Sequence, residues 1–185
     1  MNATSAFDWK RRMGRHEAYH QSAGNRAVHW ICIPIELGAL VFLFSAVPLP
    51  VKGLDLALVL IALLAPVYVL TEPLGGMLMV GFLVASHHLI ATAPLLGAGR
   101  AGLGALLFAV SFAVQVGVGH RFFERGRDDT ALNLAEFGAT WNPVPLLLVP
   151  YYHLVEVLLA LGYRPRLKQE IAAATREELV RAGAN

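Results

Sequence analysis

The sequence predicts an all-α protein: a multi-pass transmembrane helical bundle with four spans plus a broken or re-entrant fifth apolar element. Of 185 residues, 56% are hydrophobic and only 15% are charged, and the mean hydropathy is +0.55. A chain of this length has more apolar surface than a soluble interior absorbs. The apolar residues fall in runs near the ~20 residues that cross ~30 Å of hydrocarbon. The breaks between runs are short and rich in Pro and Gly, which makes consecutive runs antiparallel neighbours.

Residues 1–29 form a polar segment with Lys10, Arg11, Arg12, Arg15 and Arg26 against Asp8 and Glu17. Phe7, Trp9, Met13 and Tyr19 among them suit an amphipathic helix lying on the membrane surface. Asn25 suits the cap of a helix beginning near Arg26. The basic residues place this segment in the cytosol, and an apolar run that starts only at Trp30 does not fit a cleavable secretory signal.

The expected helical bundle occupies residues 30–161. Its first span covers about 30–47, and Pro48 to Gly53 turn the chain. The second covers 54–70 and breaks at Thr71-Glu72-Pro73. The third covers 74–96 and breaks at Gly97-Ala98-Gly99-Arg100. The fourth covers 101–119. Helices satisfy their own backbone in lipid, and glycines such as Gly76 and Gly104 let them approach closely. A polar stretch, 120–141, precedes the fifth apolar run, 142–161. Pro143, Pro145 and Pro150 interrupt that run, and His153 and Glu156 sit inside it. A crossing there would also export the basic tail, residues 162–185, so a broken or re-entrant element is expected, with a full span as the alternative. Residues 168–182 read as a short amphipathic surface helix. The whole, 1–185, is one integral membrane domain.

Cys32 has no cysteine partner and reads as a small packed hydrophobe. The formal charge is only +2, and the basic residues follow membrane boundaries without a recognition motif, so no nucleic-acid partner is indicated.

Histidines carry the candidate chemistry. His20 and His29 precede or open the first span, and His120 closes the fourth. Four crossings return the chain to its starting side, so all three meet at one face, the cytosolic one. Histidine is the commonest metal ligand. Glu124 lies four residues after His120 and shares its face if the helix continues, either as a ligand or as a group orienting one. His87 and His88 lie inside the third span, where ionisable groups are functional candidates. Adjacent residues point about 100° apart, so one of them at most faces a site. His88 is retained as a further metal candidate, with interhelical hydrogen bonding the competing role. Gln115 and Ser111 suit packing between helices, and Glu36 suits pairing with a buried polar group. His16-Glu17-Ala18-Tyr19-His20 matches the H-E-x-x-H pattern of zinc proteases, in which Glu17 would be the general base. No third ligand of a known protease pattern follows it.

Two blocks point to a family. One is Tyr19-His20 with Asn25, His29, Ile33 and Pro34. The other is Gln115 with Gly119-His120 and Phe123-Glu124. Together they resemble the 2-hydroxy fatty acid dioxygenase family that turns phytosphingosine-derived acids into odd-numbered fatty acids, formerly a domain of unknown function. The likeness extends to Ala131-Leu132 and, loosely, to Glu156 before Leu161-Gly162. It implies a multi-pass membrane enzyme that uses Fe²⁺ and O₂ to remove one carbon from a 2-hydroxy fatty acid by α-oxidation. The residues suit that chemistry. His20, His29 and His120 would hold the iron with Glu124 supporting, and the acyl chain would lie among the membrane lipid-facing spans. Arg26, Arg121 or Arg125 would steer the carboxylate, or else merely mark the cytosolic boundary. The chain departs from the family at Thr130-Ala131-Leu132, where Pro-Ala-Leu is usual, and in His87-His88. Two other classes compete: a membrane zinc metalloprotease built on His16 and Glu17, and a non-enzymatic membrane scaffold or lipid-binding protein. A desaturase would need H-x-x-H-H boxes that the chain lacks.

Overall fold

The computed structural model describes residues 8–92, 97–125, 130–140 and 143–183, and every element named among them is helical. They are α1 (Trp9–Tyr19), α2 (Ala23–Ser45), α3 (Leu56–Thr71), α4 (Pro73–Thr92) and α5 (Gly97–Val114). A π-helical segment (Gln115–Phe123) continues α5. Then come α6 (Thr130–Thr140), α7 (Val144–Ala160) and α8 (Pro165–Arg181).

Among the described residues, three helices are long and apolar enough to cross a membrane: Ala23–Ser45, Pro73–Thr92 and Gly97–Phe123. α3 is equally apolar but shorter, and its 16 residues reach only about 24 Å. Outward-facing Leu63, Leu70, Leu89, Leu106 and Val110 are exposed, as lipid-facing side chains are. This is a helical membrane protein, and three of the four expected spans are long helices among the described residues. The fifth apolar run is not broken within the described residues. α7 continues through Pro150, but its apolar part, Leu147–Ala160, is short.

α2 and α5 cross closely because Gly104 has no side chain. A Cβ there would lie 2.7 Å from the Ala39 carbonyl oxygen and 2.8 Å from the Leu43 nitrogen. Ser111 on α5 donates to the Cys32 carbonyl of α2 at 3.1 Å, a bond between helices as the sequence suggested. The amphipathic C-terminal helix is present as α8, but it does not lie free. Leu167, Ile171 and Thr175 are buried, Thr175 donates to Glu17 of α1 at 3.0 Å, and Lys10 of α1 pairs with Glu170.

Glu72 ties the two halves together. Its side chain is 1% exposed. The Gly75 N–H donates to one carboxylate oxygen at 2.7 Å, capping α4. The Tyr163 hydroxyl and the Arg164 guanidinium reach the other, and Tyr151 of α7 donates to the Glu72 carbonyl at 3.1 Å. Burial by itself would raise this carboxyl. The donors from Tyr163, Gly75, Leu74 and Arg164 outweigh it and hold the group below its ordinary value of 4.5. The charged form is thus favoured by folding. The stabilisation is present above pH 4.5 and is lost as pH falls through the lower folded value. Glu72→Gln is expected to destabilise the protein by about 1.5–3 kcal/mol at neutral pH and to flatten its acid limb, read by thermal unfolding in detergent from neutral pH to strong acid.

Candidate metal centre

α1 presents His16 on its inner face, and His20 follows at its C-cap, four residues on. The helix ends at Tyr19, the chain turns through residues 20–22, and α2 starts at Ala23 with Ser22 at its N-cap. This corrects the expected start near Arg26 under an Asn25 cap. The Ser22 hydroxyl makes no cap bond. Its N–H donates instead to Glu124 at 2.6 Å, so the Glu124 carboxylate sits against the positive end of α2. Asn25 lies inside the first turn of α2, completely buried.

The π segment explains how His120 and Glu124 come together. Its i→i+5 bonding turns Gln115, Gly119, His120 and Glu124 inward, and all four are buried. The Glu124 N–H donates to the Gly119 carbonyl at 3.2 Å, closing the segment. The expected shared face therefore exists, though by a wider winding than an α-helix. Gly119 allows the contact with α2: a Cβ there would lie 2.5 Å from Asn25 Oδ1.

His20, His29 and His120 meet. One ligand nitrogen from each lies within 4.8 Å of the others. The ring centroids are 4.8 Å apart for His20 and His29, 5.1 Å for His20 and His120, and 4.9 Å for His29 and His120. His20 Nδ1 donates to the His16 carbonyl at 2.8 Å and His29 Nδ1 to the Asn25 carbonyl at 2.9 Å. A carbonyl only accepts, so both Nδ1 atoms carry the proton and both Nε2 atoms keep a lone pair. Backbone-oriented imidazoles of this kind are typical of metal ligands.

Two further histidines join the cluster. His16 stacks on His20 with centroids 3.9 Å apart. His153 of α7 packs 4.9 Å from His29. The Nε2 atoms of His16 and His153 are 3.2 Å apart. All five rings are at most 9% exposed. His153 gave a signal in the sequence, as an ionisable residue inside an apolar run. His16 gave one as the first residue of the H-E-x-x-H pattern.

The other candidates are placed as follows. Glu17 turns away from the cluster toward α8, where Thr175 donates to it, and burial pushes its carboxyl upward. Arg26 pairs with Glu156 at 3.1 Å. Arg121 and Arg125 are exposed, Arg125 in a left-handed turn. His88 is exposed on α4 and does not join the group of three. Its neighbour His87 pairs with Asp55 at 2.7 Å, where Asp55 caps α3. Gln115 proves to be more than packing glue. Its side-chain amide bridges Glu36 and His29, one end 2.8 Å from Glu36 and the other 3.0 Å from His29 Nε2.

The residues fit a transition metal. Three converging imidazoles, two of them with Nδ1 held by a backbone carbonyl, suit iron, zinc or copper, and ring movements of under about 1 Å bring the nitrogens to bonding distance near 2.1 Å. Asn25 adds an independent sign of a ligand. Both polar atoms of its side chain are buried without a hydrogen-bond partner among the described residues, a cost of about 1–3 kcal/mol that a bound ligand or water would remove. A cavity of about 180 Å³ opens beside His29 and His153, lined mainly by apolar side chains of α2, α4 and α7 that include Ile33, Leu37, Met79 and Phe82. A second, more polar cavity of about 310 Å³ shares Trp30 with it and holds Arg26, Lys168, Glu17 and Glu156.

No protein-family model matches the chain, no curated protein is significantly similar to it, and no solved structure matches it.

Proposed function

We propose that the chain is an Fe²⁺-dependent membrane dioxygenase that shortens 2-hydroxy fatty acids by one carbon. The observation that carries the proposal is the convergence of three inward-facing imidazoles from α1, α2 and the π segment beside an apolar cavity. Polar ligands at the mouth of an apolar slot suit a substrate that is an acid at one end and a hydrocarbon at the other. In this account α2, α3, α4 and α5 cross the membrane in alternation, α3 as a short return, and the basic N-terminal segment places the centre at the cytosolic face.

His20, His29 and His120 hold the iron, and the His16 and Asn25 carbonyls fix two of their rings. Iron held there would supply the reaction with O₂ that converts the 2-hydroxy acid. The cavity takes the acyl chain and excludes water from it. Arg26, held by Glu156 beside Trp30, attracts the carboxylate toward the centre. Glu124 braces the π segment against α2. The overall conversion balances with O₂ alone: a 2-hydroxy acid and O₂ give the acid one carbon shorter, carbon dioxide and water. No separate reductant is needed.

The test is anaerobic reconstitution with Fe²⁺, then exposure to ¹⁸O₂ with a series of 2-hydroxy fatty acids. The expected product is the acid shortened by one carbon, carrying ¹⁸O in its carboxylate. Unchanged substrate throughout the series, with iron bound, would refute the assignment.

The H-E-x-x-H stretch runs along the end of α1 to its C-cap, and both its histidines are buried, which keeps a zinc protease as the second reading. A protease would need Glu17 at the metal, whereas Glu17 is bonded to Thr175. Glu17→Gln is expected to leave fatty-acid turnover nearly unchanged. Loss of a general base would cost about 10²–10⁴-fold, so hydrolysis of a peptide substrate lost in this variant would favour the protease.

A further inference from the structure

We infer that His16 and His153 form a second metal position beside the first, so that the five-histidine cluster holds two cations. The inference rests on the reading of His20, His29 and His120 as a metal site, and extends it.

The two rings come from α1 and α7, which the sequence separates by 137 positions. Each is buried, at 3% and 4% exposure. Their Nε2 atoms point at each other across 3.2 Å. Two nitrogens bound to one ion at about 2.1 Å and an angle of about 100° stand at this separation. The second ring nitrogen of His153, Nδ1, faces the Glu156 carboxylate at 3.7 Å, and Arg26 and Trp30 hold that carboxylate in place. A carboxylate behind one nitrogen of an imidazole is the arrangement that makes the other a ligand. With the proton on Nδ1, His153 turns a lone pair into the cluster.

One ion does not account for all five rings. His20 reaches the first position through Nε2, because its Nδ1 is bonded to the His16 carbonyl. His16 stacks on His20 with the ring planes 29° apart, and its own Nε2 meets that of His153. The His20 ring thus lies between the two positions. The two protein ligands at the second position leave coordination sites for water or for substrate oxygens. Imidazole-rich sites of this type take Fe²⁺, Co²⁺ or Zn²⁺.

The experiment is a titration of the full-length, detergent-solubilised protein with Co²⁺ under argon, read by its visible spectrum and by metal content after gel filtration. The wild type is expected to hold two ions per chain, and His16→Phe and His153→Gln one each. The phenylalanine preserves the stack on His20, and the glutamine preserves a buried polar group. His29→Ala is expected to lose the other ion and keep this one. A wild type that binds one ion, lost in His29→Ala and retained in both His16→Phe and His153→Gln, overturns the second position and leaves the first standing. Two ions persisting in both of those variants overturn the assignment to His16 and His153. A wild type that binds none overturns the second position together with the metal site on which it rests.

Discussion

His120→Ala is expected to lose the ion held by His20, His29 and His120, leaving at most the one at His16 and His153, and to lower turnover by at least about 100-fold, since losing even a group that only orients a metal ligand costs about 10–100-fold. His120 is the ring furthest along the chain in the group of three, and only the π segment brings it to His20 and His29. Without it, only His20 and His29 remain of the first position's ligands. Metal analysis after anaerobic loading and rapid desalting measures the loss directly. Full occupancy with full activity would remove His120 from the centre. His29→Ala should behave alike, because His29 touches both of the other rings.

Gly119→Val is expected to do comparable damage without touching a ligand. A Cβ at this position would lie 2.5 Å from Asn25 Oδ1 and 3.4 Å from His29 Cε1. Asn25 is fully buried, and its carbonyl orients His29, so it has little room to retreat. The π segment must move off α2 instead, and His120 moves with it. Overpacking of this kind costs about 1–3 kcal/mol, and iron affinity should fall by more than about tenfold. Gly117→Ala is the control. The neighbouring space there is open, so stability and iron binding should both hold. A stable Gly119→Val protein with normal iron content would show that the contact between α2 and the π segment does not set the site.

The apolar runs revealed the helices because lipid imposes both their composition and their length. Their ends were less legible. α2 begins at Ala23, ahead of both the expected helix start near Arg26 and the apolar run that opens at Trp30, since His29 and Asn25 are buried by protein and not by lipid, and hydropathy does not register that. The glycines at 97 and 99 looked like a break, yet they form the first turn of α5. α6 lies in a stretch whose polarity concealed it. The convergence of His20, His29 and His120 was readable from their positions at the ends of apolar runs. The joining of His16 and His153 was not, because α7 carries its histidine to the cluster from the far side of a tertiary contact. Glu72 read only as part of a turn. Its partners Tyr163 and Arg164 lie 91 and 92 positions away, and pairing at that range is set by the fold. His88 looked as plausible as any intramembrane histidine, but α4 turns it outward.

X-ray absorption at the iron edge of the anaerobically loaded protein tests the central claim most directly. The account predicts nitrogen neighbours at about 2.1 Å with the more distant ring-atom scattering of at least three imidazoles, reduced in His29→Ala. Iron surrounded by oxygen alone, with no imidazole scattering and no change in that variant, would contradict it.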